Sequence, residues 1–429
     1  MRAALILAVM PFLVGLILSR PYFGACLFIF TTFIRPQNLT WGFEEVRFAL
    51  VVSLATALGY FLKRRTFRPA GGAAAIPWLW ALMGAMLLST LTARVSADTS
   101  LFWNDKFFKI AIFSTLLTFI VDRRERIDRT FFWYLAGMGT LALWAFEQHF
   151  QGNDRLEGIG NGGDIDHSNG IACAFVMALP LTLAAGANTP RSQPLRRWGL
   201  YGLAPIFCLD TVFTQSRAGY LALGAAGLFA MRHRKLRWKV AAVMLVGGLA
   251  FFSMKQYAKR FETIVEQGRG LDRSQDGSIA TRVVLWEMAF DMWTESPVTG
   301  VGQQNSALIV KQTQIGKAKS IHNTWFQILA DGGALAVIAY AGAVLAGLAD
   351  LRRARRDAVR RDDREIWNWT VAVECSLVAF AASGTFNSFD YLEMPYWLLA
   401  LSGTIRSVTA REAGEVYTAR AAEPAGVLV

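Results

Sequence analysis

Residues 322–348 read HNTWFQILADGGALAVIAYAGAVLAGL, and a basic run from Arg352 to Arg364 follows almost at once. A bilayer's hydrocarbon core takes roughly 20 residues of helix. A helix satisfies its own backbone hydrogen bonds there, which an extended chain cannot. The stretch therefore predicts a membrane-crossing helix with arginines anchoring its far end. The same grammar recurs along the chain. Further apolar blocks lie at 47–62, 75–93, 107–121, 130–148, 170–187, 199–214, 218–231, 240–254, 367–385 and 391–407. The first 34 residues hold two more runs, 3–18 and 22–34, broken by Ser19-Arg20-Pro21, which read as one broken helix or a short hairpin. No small-x-small cleavage site follows Met1–Ser19, which disfavours a signal peptide there. The fold class expected is an all-α polytopic membrane protein of about 12 transmembrane helices.

Charge then orients the helices. The 429 residues carry a net charge of +12, with 54% hydrophobic residues and a mean hydropathy of +0.33. In a soluble chain that charge would suggest nucleic acid. Here it is concentrated in five short connectors: Lys63-Arg64-Arg65, Arg123–Arg126, Arg191 with Arg196-Arg197, Arg232–Lys235, and Arg352–Arg364. Threading the blocks in order places all five on one side. Positive short loops mark the cytoplasmic face, and basic residues there meet lipid headgroups; a nucleic-acid partner is not expected. Cys26, Cys173, Cys208 and Cys375 all fall within apolar blocks at no metal or redox spacing.

Five segments follow: 1–46, an N-terminal membrane segment and short outer loop; 47–254, transmembrane helices; 255–321, a large outer loop; 322–410, C-terminal transmembrane helices; and 411–429, a cytoplasmic tail expected to be disordered. Within the 67-residue loop 255–321, Ile279, Val283, Trp286, Phe290 and Trp293 recur at steps of 4, 3, 4 and 3. That spacing predicts an amphipathic helix lying at the membrane surface, with Ser278 as its N-cap.

Several outer-face residues could carry chemistry. Arg217, in Thr214-Gln215-Ser216-Arg217-Ala218-Gly219, is either an interfacial anchor or a cation turned into a cavity. Arg282 and Arg260 could join it around one anion, since the guanidinium fork suits phosphate. His322 is placed for proton transfer or for capping the following helix. Glu147, His149, Asp164, Asp166 and His167 form an acidic alternative, with Asp164-Ile165-Asp166 shaped like a divalent-metal motif. Glu147, Asp210, Asp331 and Glu374 within spans would suit a proton-coupled transporter.

His322-Asn323, nine residues, then Gly333 resembles the signature of the O-antigen ligase family of membrane glycosyltransferases; at the last signature position Ala336 stands in place of glycine, threonine or tyrosine. Thr214–Gly219 resembles the family's Ser-Arg-Gly segment. Arg282-x-x-x-Trp286 through Pro297-x-x-Gly300-x-Gly302 resembles its large periplasmic loop. Arg20-Pro21-Tyr22 and Ile34–Phe43 are similar to the exosortase-associated O-glycosylation ligases. The resemblance implies a GT-C-like architecture in a bacterial inner membrane, with the active site facing the periplasm. It implies a metal-independent, inverting transfer without cofactor, from a glycan on undecaprenyl diphosphate to a lipid or protein hydroxyl. By the same carry-over Arg217, Arg282 and Arg260 hold the diphosphate, with Asn323 beside them at the substrate, and His322 serves the acceptor. The competing readings are an O-antigen or exopolysaccharide polymerase using the same donor, and a transporter or flippase.

Overall fold

The computed structural model describes residues 2–36, 48–68, 72–159, 165–233, 278–313 and 320–422, and among them it is all-helical. The helices are α1 (Arg2–Ser19), α2 (Pro21–Ile34), α3 (Phe48–Lys63), α4 (Ala75–Thr90), α5 (Ala97–Ile120), α6 (Arg124–Phe150), α7 (Ser168–Asn188), α8 (Pro194–Phe213), α9 (Arg217–Met231), α10 (Ser278–Glu295), α11 (Asn305–Gln312), α12 (Thr324–Arg360), α13 (Arg364–Gly384) and α14 (Glu393–Ala422). α7, α12 and α13 are each long and apolar enough to cross a membrane, and Val9–Ser19, Pro21–Ile34, Ala75–Thr90 and Arg217–Met231 are shorter apolar helices. The apolar block 240–254 lies outside the described residues.

The apolar blocks and the helices correspond, with differences at the ends that have local causes. α5 begins well before its apolar block because the Ser96 hydroxyl accepts from the Thr99 amide, a side-chain cap. α14 runs on to Ala422, so residues 411–422, expected to be disordered, are helical. Their Ala- and Glu-rich composition favours helix. Arg411 Nη1 also donates to the Arg68 carbonyl at 2.9 Å, and Glu412 pairs with Arg124 at 2.7 Å. At the N-terminus the chain breaks at Arg20, and α1 and α2 both pack on α3; a Cβ on Gly59 would meet the Ile17 carbonyl oxygen at 3.0 Å. The close approach of these helices needs that glycine.

The long helix α12 is broken. Gly333 has φ 62° and ψ −164°, a conformation essentially open only to glycine. The break frees backbone groups that a continuous helix would use, and the segment after α10 takes them. Val301 and Gly302 amides donate to the Ala330 and Asp331 carbonyls at 2.9 and 3.1 Å. Ala334 and Leu335 amides donate to the Pro297 and Val298 carbonyls at 2.9 and 3.3 Å. A Cβ on Gly333 would lie 2.4 Å from the Val298 oxygen, and one on Gly300 would lie 2.5 Å from the Ala330 oxygen. The glycines of the two motifs thus face each other across one backbone seam. Ala336, the departure from the signature, is buried and sits against Gly332, so the small residue still fits. Gly333→Ala is expected to destabilise the fold by about 3 kcal/mol or more, from backbone strain and overpacking. Thermal unfolding of the purified protein in detergent measures it, and an unchanged midpoint would contradict the seam.

Beneath the seam, Leu285, Ala289 and Met292 of α10 are buried with Val301, Val310, Ile321 and Ala330 in a small core of their own. This corrects the expected apolar face of α10. Val283 and Phe290 are 41% and 48% exposed, because the helix turns the stripe of Leu285, Ala289 and Met292 to the protein instead.

Candidate functional site

The site is assembled at the ends of α8, α9, α10, α12 and α13. α8 stops at Thr214; Gln215 adopts a left-handed φ of 52°, and Ser216 caps α9 by accepting from the Gly219 amide at 3.1 Å. The Ser216 hydroxyl also bonds Asn169 Oδ1 at 2.6 Å, tying this corner to the start of α7. Gly219 lets α9 approach, since a Cβ there would meet Ala172 Cβ at 2.6 Å. Arg217 is consequently the first residue of a helix, where unpaired amides and the dipole already favour an anion.

Arg282 lies in the second turn of α10, its guanidinium 5.8 Å from the ring centre of Phe386, just beyond α13. One turn on, Trp286 stacks on Phe326 with centroids 5.8 Å apart and planes 17° from parallel. These rings fix α10 against the start of α12. Burial pulls the Arg282 guanidinium below its usual range, and the charge of Arg217 pulls it further. Two cations are therefore held within electrostatic reach of each other, an arrangement that an anion between them would relieve.

His322 sits in the turn into α12 with φ 54°, left-handed and costly for a side-chain-bearing residue. Burial lowers its pKa below 6.5, and the nearby Arg282 charge lowers it further. Both effects keep the imidazole neutral at neutral pH, the form that can accept a proton. The structure thus links Arg217 to Arg282 and Arg282 to His322. Arg260 lies outside the described residues, as does Asp164.

Asn323 has a structural role. Its Oδ1 accepts from the Trp325 and Phe326 amides at 2.9 and 3.1 Å, so the side chain caps α12 and is 3% exposed. It holds the turn that carries His322. Among the described members of the acidic alternative, His149 stacks on Phe213 at 3.7 Å, and Glu147 bonds Gln151 at 2.9 Å. His167 stands at the N-cap of α7, with its side chain making no cap bond. Of the acids within spans, Asp331 accepts from the Gln304 and Ser306 amides at 2.9 and 3.0 Å and from Gln327 Nε2 at 2.6 Å. Gln327 Oε1 in turn accepts from the Ile321 amide at 3.4 Å, next to His322. Asp331 is therefore a buried brace between the seam and the histidine turn.

Phe386, Gln327 and Gln304 were not legible as site residues. Gln304 joins Asp331 to Asp390 through its side chain at 3.1 Å, and burial, with Asp331 nearby, pushes the Asp390 carboxyl up to about 7. Nothing in their sequence neighbourhoods announces partners 60 or more positions away, as for Gln327 with Ser388 and Gln304 with Asp390.

Comparison with known families gives two matches. Residues 201–341, which contain Arg217, Arg282, His322, Gly333 and Ala336, match the family model described as O-Antigen ligase. Residues 1–145 match a family of unknown function (DUF5935). No curated protein matches the chain.

Proposed function

Because the chain is a membrane protein that carries an O-antigen ligase domain, we propose that it transfers a glycan from undecaprenyl diphosphate to an acceptor hydroxyl. The observation that carries the reading is the linked trio Arg217, Arg282 and His322 at one end of the helices. The two guanidinia bind the donor diphosphate, where bidentate, charge-assisted contacts are strongest. His322, neutral, takes the proton of the acceptor hydroxyl as its oxygen attacks the anomeric carbon. The bond from that carbon to the diphosphate oxygen breaks, and the arginines stabilise the charge that develops on the leaving group. Attack opposite the leaving group inverts the anomeric centre. No metal or cofactor enters the scheme.

The basic connectors support an inner membrane with this end facing the periplasm and about 12 crossings in all. Arg260 would add a third cation to the diphosphate. A polymerase would use the same donor and differ only in the acceptor, so the assay carries both. The purified protein is given a donor oligosaccharide on undecaprenyl diphosphate, alone or with a lipid or protein acceptor, in excess chelator. Transfer to the added acceptor, undiminished by the chelator, is expected. Lengthening of the lipid-linked glycan without acceptor would make it a polymerase, and loss of transfer restored by magnesium or manganese would replace the arginine scheme.

A further inference from the structure

At the end of the helices opposite Arg217 and His322, Glu374 of α13 is 1% exposed and gathers three arginines from two other segments. Arg232, just after α9, reaches its Oε2 at 2.9 Å; Arg355 of α12 pairs with the same oxygen; Arg352 Nε lies 4.0 Å from Oε1. The cluster carries three positive charges and one negative, so +3 − 1 = +2 among these four groups. The other clusters at this end are less one-sided: Arg124 faces Asp363 at 2.6 Å, Glu412 at 2.7 Å and Glu365 at 3.9 Å, while Asp350 and Asp122 each hold two arginines.

The depth of the cluster identifies what could balance it. The apolar run of α12 ends near Leu348, and Arg352 follows one turn later. Arg232 directly follows the apolar helix α9. The α12–α13 hairpin continues to Arg360, about 12 Å further at 1.5 Å per residue. The cluster is thus level with lipid headgroups, while the hairpin tip projects beyond them. Arg232 and Arg352 are 43% and 57% exposed, so their outer faces are open to that layer. Arg232 is also held in place over the Phe229 ring at 3.6 Å. Basic clusters between helices at this depth bind anionic headgroups.

We propose that Arg232, Arg352 and Arg355, gathered on Glu374, bind the phosphodiester headgroup of an anionic membrane lipid. Glu374 fixes the arginines, and the lipid phosphate supplies the missing negative charge. The site is separate from the transfer centre and stands whether or not that reaction is a glycan transfer.

The test uses the purified full-length chain in detergent, titrated with dioleoylphosphatidylglycerol or dioleoylphosphatidylcholine, with bound lipid counted by native mass spectrometry. Phosphatidylglycerol should be retained about tenfold more strongly or better, as charge-assisted contacts predict. Arg232→Gln with Arg352→Gln should erase most of that preference, while Glu374 keeps its partner Arg355. Arg360→Gln with Arg364→Gln, at the hairpin tip, removes equal charge and should leave the preference within about twofold, since charge there is screened by salt. Equal retention of the two lipids, or equal loss in both double variants, would overturn the site. Displacement of phosphatidylglycerol by inorganic phosphate would make it a free-phosphate site and overturn the lipid assignment. If the double variant does not fold, Arg352→Gln alone carries the same test, and unchanged preference there counts equally against it.

Discussion

Replacing His322 by alanine is expected to lower glycan transfer by about 10²–10⁴-fold, the usual contribution of a positioned general base, while donor binding stays near normal. The two quantities separate because the histidine serves the acceptor and the arginines serve the donor. Donor affinity can be read with a fluorescent undecaprenyl diphosphate analogue, and transfer by product separation, on protein of matched expression. The pH profile gives an independent signature. Burial and Arg282 depress the His322 pKa, so the imidazole stays neutral and competent until the pH falls below 6.5. Transfer should therefore hold from neutral pH down to that range and then fall by one proton. Among the described residues Arg282 on α10 is the charge that acts on it and Arg217 on α9 acts on Arg282 in turn, while burial, with Asp331 nearby, pushes the Asp390 carboxyl up to about 7. A limb that persists in His322→Ala would belong to the buried carboxyls Asp331 and Asp390 instead. Near-normal transfer by the alanine enzyme would remove His322 from the mechanism.

Arg217→Lys and Arg282→Lys probe the other half of the site, and both are expected to weaken donor binding despite keeping the charge. Lysine loses the planar fork that grips two phosphate oxygens at once. A charged hydrogen bond contributes about 1.5–3 kcal/mol, so each substitution should cost roughly 10- to 100-fold in donor affinity. Arg282→Lys should cost more, because the ammonium also loses the flat contact with Phe386. The double variant should fall short of the product of the singles, since both cations address one diphosphate and their effects couple. Full tolerance of lysine at Arg217 would reduce it to an interfacial anchor.

How far the chain could be read from its residues depends on the physical scale of each feature. The helices were legible because apolar runs of membrane length leave the backbone one choice, and α7, α12 and α13 appear where the runs lie. The grouping of Arg217, Arg282 and His322 was legible only through motif order, not spacing. What the sequence hid is tertiary. Phe386, 104 positions from Arg282, lies beside its guanidinium. The face of α10 that packs inward is set by the core it meets, so Leu285 and Ala289 are buried where Val283 and Phe290 were expected. Asn323, expected at the substrate from the motif, also caps its own helix through Oδ1, a local role the motif did not announce.

The broken helix also explains why the signature has the length it has. His322 and Gly333 are eleven positions apart, and the nine residues 324–332 that join the histidine turn to the break are helical, about two and a half turns at 3.6 residues each, so their number sets where the turn sits relative to the break. The interval works as a ruler. One added residue between them would rotate His322 by about 100° and move it about 1.5 Å along the axis, off the arginines. The ruler has an anchored zero, because the seam clamps Gly333 to Gly300 on the far side. Scanning single-alanine insertions should accordingly find the whole of 324–332 intolerant, a constraint set by helical phase rather than by which residues are chemically active.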